Sequence, residues 1–283
     1  MTSSLQSIER ARPLLGTSVA IRVQGLNETE AHHAIDDTFA EIALVHRLMS
    51  FHETESDVSR LNREAFDRYI AVHPATFEVL ELAYEMSQSS EGAFDITVAP
   101  ELVRSGILPT PDQDVPFDPL GSWRDIELGQ DNRVRFHRRL CVDLGGIAKG
   151  YAVDRALEML PALGAVQACV NAGGDLAVFG PEAELVRLDA EITDEALPVL
   201  EIEDAAVASC ANVKNGQVPH IDGRSRRTVS TGRFVSVVAE RCIVADALTK
   251  IVLALDEQSE PILRRYGASA HLHDGRGWRH FGT

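Results

Sequence analysis

Apolar positions along the chain switch between two periods. From Ser18 to Val23 they alternate (Val19, Ile21, Val23), the signature of a half-buried strand. From Glu28 to Met49 they fall on one helical face: Ala31, Ala34, Ile35, Thr38, Phe39, Ile42, Val45 and Leu48. A second helix is expected from about Pro74 to Ser87, with Phe77, Leu80, Ala83 and Tyr84 on one side and Pro74 in its first turn. A third spans about Tyr151–Leu160, with Val153, Ala156, Leu157 and Leu160 in one stripe and Gly164 closing it. A fourth, at about Val244–Leu255, buries Val244, Ala247, Leu248, Ile251 and Leu255. Short strands are expected at Val134–Phe136, Leu140–Leu144, Val166–Asn171 and Phe234–Ala239. The proline-rich stretch Leu108–Leu120 reads as an irregular loop. No linker, internal repeat or low-complexity tract divides the chain. Helices and strands mix without strict βαβ alternation, so the expected fold is one α+β domain over residues 1–283, residues 1–11 forming a flexible N-terminus.

Charge narrows the function classes. Lys and Arg number 27 against 43 Asp and Glu, a net charge of −16 over 283 residues. Nucleic-acid phosphates and anionic membranes both demand concentrated positive charge, so neither is an expected partner. The acidic segment Glu182–Asp204 reads as a solvated face of strands and loops. No stretch approaches the roughly 20 apolar residues of a membrane span. The opening, Met1 to Arg12, is polar and lacks the apolar core of a signal segment, which makes a cytoplasmic location the expectation. Cys141, Cys169, Cys210 and Cys242 form no Cys-x-x-Cys pair and are expected to be reduced core residues.

The segment richest in chemistry is Asp143-Leu144-Gly145-Gly146-Ile147-Ala148-Lys149-Gly150, between an expected strand and an expected helix. Its three glycines permit close backbone approach and positive φ. The helix start supplies N–H groups and the positive end of a dipole, and Lys149 adds a formal charge. The combination suits a phosphate or diphosphate, though the spacing is neither a Walker A loop nor a Gly-x-Gly-x-x-Gly fingerprint.

Other short segments accompany it: Leu15-Gly16-Thr17, Met49-Ser50-Phe51-His52, Asp57 to Asn62, Gly92-Ala93-Phe94-Asp95-Ile96-Thr97-Val98, Val170-Asn171-Ala172-Gly173-Gly174-Asp175, Pro219-His220-Ile221-Asp222 and Ala245-Asp246-Ala247-Leu248. In this order, from about Arg12 to the C-terminus, they resemble the ApbE family of FAD:protein FMN transferases. The resemblance implies a T-fold-like α+β domain that binds FAD with a divalent ion, usually Mg²⁺, at the diphosphate. It implies transfer of the FMN half to a threonine or serine of an acceptor protein, with release of AMP; some members instead hydrolyse FAD to FMN and AMP. Carried over by position, FAD would contact Leu15, His52, Ala93, Phe94, Asp95, Asp143, Lys149 and Ile221. The ion would use the Gly146 carbonyl and side chains at Asp246, Thr249 and position 250.

Residue chemistry bears on several of these roles. Asp246 and position 250 share a helix face, and a carboxylate, a hydroxyl and a carbonyl are hard oxygen ligands suited to Mg²⁺. His220 is the candidate base for an acceptor hydroxyl. Asp95 has two readings, a hold on the flavin ring or ribose and a cap on backbone N–H groups; Asp175 reads foremost as a cap on the Gly173-Gly174 turn.

The departures from the family pattern are specific. Lys250 stands where a threonine is usual, and an ammonium accepts no metal bond. It either reaches the diphosphate and replaces the ion, or pairs with Asp246, worth about 0.3–0.5 kcal/mol if exposed, with Thr249 and Asp246 still holding a weakened ion. Ala208-Ser209-Cys210-Ala211-Asn212 replaces a Thr-Ser-Gly-Asp-Tyr-like segment, His220 to Ser225 is a shortened version of its counterpart, and His52 stands where a tyrosine commonly stacks on the flavin. These changes border the acceptor and the reacting phosphate, which leaves three readings: FMN transferase, FAD-binding protein without transferase activity, and FAD diphosphatase.

Overall fold

The computed structural model describes residues 7–111, 116–188, 197–212, 220–229 and 232–282. In chain order these form β1 (Ser7–Leu14), β2 (Thr17–Gln24), α1 (Glu28–Met49), α2 (Asp57–Glu64), β3 (Ile70–Ala71), α3 (Pro74–Ser89), α4 (Ala99–Arg104), β4 (Ile126–Leu128), β5 (Arg133–Phe136) and α5 (Ala148–Met159). There follow β6 (Gln167–Ala172), β7 (Asp175–Phe179), β8 (Glu184–Arg187), β9 (Val199–Ile202), β10 (Ala206–Asn212), β11 (Ile221–Asp222), β12 (Arg227–Thr228), β13 (Arg233–Ala239), α6 (Cys242–Leu255), α7 (Glu260–Arg265), β14 (Ser269–His273) and β15 (Trp278–Gly282). The expected α+β class holds, with every strand pairing within the sheets antiparallel.

The main sheet has eight strands in the order β1-β2-β6-β7-β10-β13-β14-β15. Helices α1, α5 and α6 pack side by side against it, and the buried apolar side chains of helices and strands merge into one core. The α1 pattern works as its period requires: Ala31, Ala34, Ile35, Phe39, Ile42 and Val45 are all buried. An Asn27–Glu30 capping box fixes its start, with the Asn27 side chain accepting from the Glu30 N–H at 3.0 Å. α6 is apolar nearly all round because it lies between α5 and strands β10 and β13. No helix among the described residues is long and apolar enough to cross a membrane.

Three local expectations are corrected. Residues 7–11 belong to β1 and are not a flexible end; residues 1–6 lie outside the described residues. β1 is an edge strand that buries only Ile8, so it carries no apolar alternation, and its main-chain pairing with β2 holds it. Leu140–Leu144 is buried but is not a strand. The Asn62 side-chain amide accepts from the Val142 N–H at 2.7 Å and donates to its carbonyl at 3.0 Å, taking the place of a neighbouring strand. Finally, α5 begins at Ala148, three residues early, so Lys149 lies in its first turn. The acidic segment carries the β8–β9 hairpin; residues 189–196 lie outside the described residues.

Candidate functional site

Strands and helices converge on a cavity of about 720 Å³, within the usual size range of small-molecule sites. One wall is apolar: the last turn of α1 supplies Val45 and Met49, and Phe51, Phe94, Ile96, Val98, Leu102, Ile107 and Leu108 complete it. Lys149, His220 and Lys250 form a polar end, and Asp143 lines the cavity as well. Ten of the residues singled out from sequence therefore line one space: Leu15, His52, Phe94, Asp95, Asp143, Gly146, Lys149, His220, Ile221 and Lys250. Ala93, Asp246 and Thr249 do not line it.

Leu15 and Gly16 form the two-residue turn between β1 and β2, with φ of 54° and 72°. Positive φ at both positions is the type I′ hairpin geometry, which suits Gly16 and strains Leu15 by roughly 1 kcal/mol. The strained leucine thereby joins the cavity wall. Ala93, next in the chain to the lining residue Phe94, is buried, and its carbonyl accepts the Gly223 N–H at 3.1 Å, tying the β11–β12 hairpin to the site. His52 is exposed at the rim.

The Asp95 carboxylate serves the fold. One oxygen accepts from the Thr97 N–H at 2.9 Å and the Thr97 hydroxyl at 2.8 Å. The other accepts from the Trp123 N–H at 3.3 Å and from Arg226 at 3.2 Å. Of its two sequence readings, the cap is the one the geometry displays. Burial pushes its carboxyl above the usual range, opposed by the Arg226 guanidinium and these hydrogen bonds. Burial likewise raises Asp143, whose side chain accepts from the Gly145 N–H at 3.1 Å.

The glycine-rich loop differs from its expectation in one respect. Gly145, Gly146 and Gly150 do not have positive φ. Close approach, by contrast, is real: a Cβ on Gly150 would lie 2.4 Å from the Cys242 carbonyl oxygen at the start of α6. Several of the loop's amides are already engaged. Gly145, Ile147, Ala148 and Gly150 already donate within the protein, Gly150 to Asp246 at 3.2 Å.

Charge at the polar end comes from two lysines instead. Lys149 pairs with Asp175, and Lys250 with Asp246; the two aspartates are 1% and 0% exposed. Asp175 is therefore the counter-ion of Lys149 and not a turn cap. Lys250 takes its i,i+4 partner, but inside the protein, so the surface estimate for such a pair does not apply. Burial would raise the Asp246 carboxyl, but the charges of Lys250 and Lys149 and the hydrogen bonds from Lys250 and the Gly150 N–H hold it below the ordinary range. Both ammonium groups are held charged by the carboxylates around them, against the effect of burial.

His220 lines the same end, its Nε2 2.9 Å from the Cys210 sulfur. Burial, followed by repulsion from Lys250, lowers its pKa from 6.5 to about 3. It is thus neutral at physiological pH. Cys210 and Asp175 are the site residues that sequence reasoning underrated. The only signal for them was position: each sits in a segment quoted above, with no spacing that links it to Lys149 or His220. All four cysteines are free thiols.

The residues expected to hold Mg²⁺ do not fit it. Asp246 gives one oxygen to Lys250 and the other to the Gly150 N–H. The Thr249 hydroxyl donates to the Asp246 carbonyl at 2.6 Å, and Lys250 donates to that same carbonyl at 3.1 Å. A divalent ion placed about 4 Å from the Lys250 ammonium would be repelled by on the order of 8 kcal/mol at an effective dielectric near 20. Among the described residues, no group of three or more His, Cys, Asp and Glu side chains is arranged to hold a metal ion.

Comparison with known proteins adds relatives to this geometry. The ApbE family model matches residues 15–271. A FAD:protein FMN transferase of Chlamydia pneumoniae is 26% identical over 271 residues, covering 88% of this chain and 82% of that protein. One of Vibrio cholerae serotype O1 is 23% identical over 278 residues, covering 89% and 83%. Among solved structures, the ApbE protein of Thermotoga maritima superposes with a TM-score of 0.85 at 23% identity over 97% of this chain and 96% of its own. The apo form of the Pseudomonas stutzeri flavinyl transferase ApbE gives 0.83 at 20% identity, covering 100% and 99%.

Proposed function

Because this chain belongs to the ApbE family, we propose that it is a FAD:protein FMN transferase whose substrate lies along the cavity between Leu15 and Lys250. The observation that carries this reading is the polarity of the cavity: an apolar wall for fused rings accompanies two part-exposed lysines, each fixed by a buried aspartate and suited to a diphosphate. Phe94 and Ile221 would face the flavin half, with His52 closing the rim. Asp95 and Ala93 would shape the wall through their hydrogen bonds to the loop and hairpin that enclose it.

In the reaction, a threonine or serine hydroxyl of the acceptor protein attacks the phosphorus on the FMN side. The new P–O bond forms as the bond to the AMP phosphate breaks; AMP leaves, and the hydroxyl proton passes to a base and then to solvent. His220 stands at the polar end with a neutral imidazole. Its low proton affinity arises partly from Lys250 and Lys149, and an arriving diphosphate would offset that repulsion and make the imidazole more basic. Lys149 and Lys250 would hold the phosphates in line and neutralise charge on the departing AMP.

The test is direct. Purified protein is incubated with FAD and a soluble extract of its source cells, with and without Mg²⁺, and products are followed by AMP release and in-gel flavin fluorescence. A flavin-labelled protein band with matching AMP, both lost in His220→Ala, is the expected result. AMP with free FMN and no labelled band would make the protein a diphosphatase. Folded protein that returns FAD intact would make it a flavin-binding protein.

A further inference from the structure

The cavity end that would receive the diphosphate is built as a four-membered ionic cluster assembled from three elements. Lys149 comes from the first turn of α5, Asp175 from the start of β7, and Asp246 and Lys250 from successive turns of α6. The two lysines line the cavity and the two aspartates do not. Each carboxylate is buried at 0% or 1% exposure, while the lysine side chains keep 31% and 18%. The cluster is neutral as a whole, yet it turns its positive members toward the ligand space.

That arrangement supplies what a divalent ion would otherwise supply there. Each Asp246 oxygen already accepts a hydrogen bond, one from the Lys250 ammonium and one from the Gly150 N–H, and that ammonium repels any cation brought to the same carboxylate. The Thr249 hydroxyl is buried and turned back onto its own helix. An ammonium, unlike a metal ion, needs no coordination shell from the protein. It needs only a counter-charge that fixes it, and Asp246 and Asp175 provide one for each lysine.

We propose that Lys250 and Lys149 together hold the diphosphate of the bound dinucleotide directly, so that this protein binds FAD without a divalent ion. The proposal rests on the reading of the cavity as a FAD site, and its test separates the two. FAD is titrated into purified protein, followed by quenching of flavin fluorescence, once in EDTA and once in millimolar Mg²⁺. The expected dissociation constants agree within about twofold. Lys250→Met, which keeps the length and removes the charge, is expected to weaken FAD binding about tenfold or more with or without Mg²⁺, and Lys250→Arg to retain most of it. Circular dichroism confirms that each variant is folded, and the wild-type comparison stands without them.

Wild-type protein that binds FAD at least about tenfold more tightly with Mg²⁺ than in EDTA would overturn the lysine proposal and leave the FAD site standing. Folded protein with no FAD affinity in either condition would overturn the reading of the cavity itself. Unchanged affinity in folded Lys250→Met would remove Lys250 from the diphosphate contact and overturn the proposal.

Discussion

Gly150 lies inside α5, where replacing glycine by alanine ordinarily stabilises a helix by about 1 kcal/mol. The structure reverses that sign. An alanine Cβ at position 150 would sit 2.4 Å from the Cys242 oxygen, 2.6 Å from its carbonyl carbon and 2.7 Å from the Ile243 Cα. All three are backbone atoms at the start of α6, so no rotamer change relieves the overlap, and the two helices must move apart by about 1 Å to restore contact near 3.5 Å. Overpacking of this kind costs about 1–3 kcal/mol. The movement also stretches the Gly150 N–H bond to the Asp246 carboxylate, now 3.2 Å, and a bond of that charged type is worth about 1.5–3 kcal/mol. Set against the propensity gain, Gly150→Ala should destabilise by about 2–4 kcal/mol and lower the melting temperature by about 5–10 °C. Thermal denaturation followed by circular dichroism measures this, with Gly146→Ala as control. A Cβ on Gly146 meets Lys250 at 3.5 Å and Phe94 at 3.7 Å, ordinary contact distances, so that variant should melt close to wild type. A Gly150→Ala protein as stable as wild type, or two variants destabilised equally, would refute the claim that backbone contact at this point sets the spacing of α5 and α6.

Three more expectations follow from the buried charges. Lys149→Met strips Asp175, 1% exposed, of its partner and should cost about 3–5 kcal/mol in urea unfolding; adding Asp175→Asn should recover much of that stability without recovering FAD affinity. His220, with its pKa lowered to about 3 by burial and the nearby lysines, takes up protons more readily when unfolded. Its contribution is therefore present above about pH 6.5 and lost on acidification, on the order of 2 kcal/mol between pH 7 and 5. His220→Gln should flatten that part of the stability–pH curve, and an unchanged slope would show that the imidazole is not buried as described. Arg226 donates to Asp95, to the Thr97 carbonyl and hydroxyl, and to the Gly121 carbonyl. Arg226→Ala should free the β11–β12 hairpin, seen as faster proteolytic cleavage within residues 220–229, and lose about 3 kcal/mol through the uncompensated Asp95 charge.

Legibility from sequence followed the physical origin of each element. α1, α3, α6 and β2 were readable because a single buried face imposes a period on a continuous stretch, and α1 has the boundaries its pattern predicts. β1 was not, because an edge strand with one buried side chain is held by main-chain bonds that leave no mark on composition. Leu140–Leu144 misled for the opposite reason. Its apolar run is real burial, but a side-chain amide from α2 satisfies its backbone, and no local pattern announces a partner 80 positions away.

The same distinction explains the candidate site. The cavity-lining residues singled out from sequence were found through the family's order of segments, and ten of them do share one space. What sequence could not supply was which charge faces which. Lys149 and Asp175 are 26 residues apart, and Gly150 meets Asp246 across 96. Only the i,i+4 relation of Asp246 and Lys250 was visible beforehand, and the value for an exposed pair does not apply to it, because Asp246 is fully buried. Packing fixes the meaning of Lys250. On an exposed helix it would be a minor ion pair, whereas at the junction of α5, α6 and β7 it claims the carboxylate that an ion would need and turns its own charge into the cavity. A single residue can thus change how an anion is held without disturbing the fold, provided that its counter-ion is buried with it. Asp246 meets that condition, being fully buried and bonded to the backbone of the neighbouring helix.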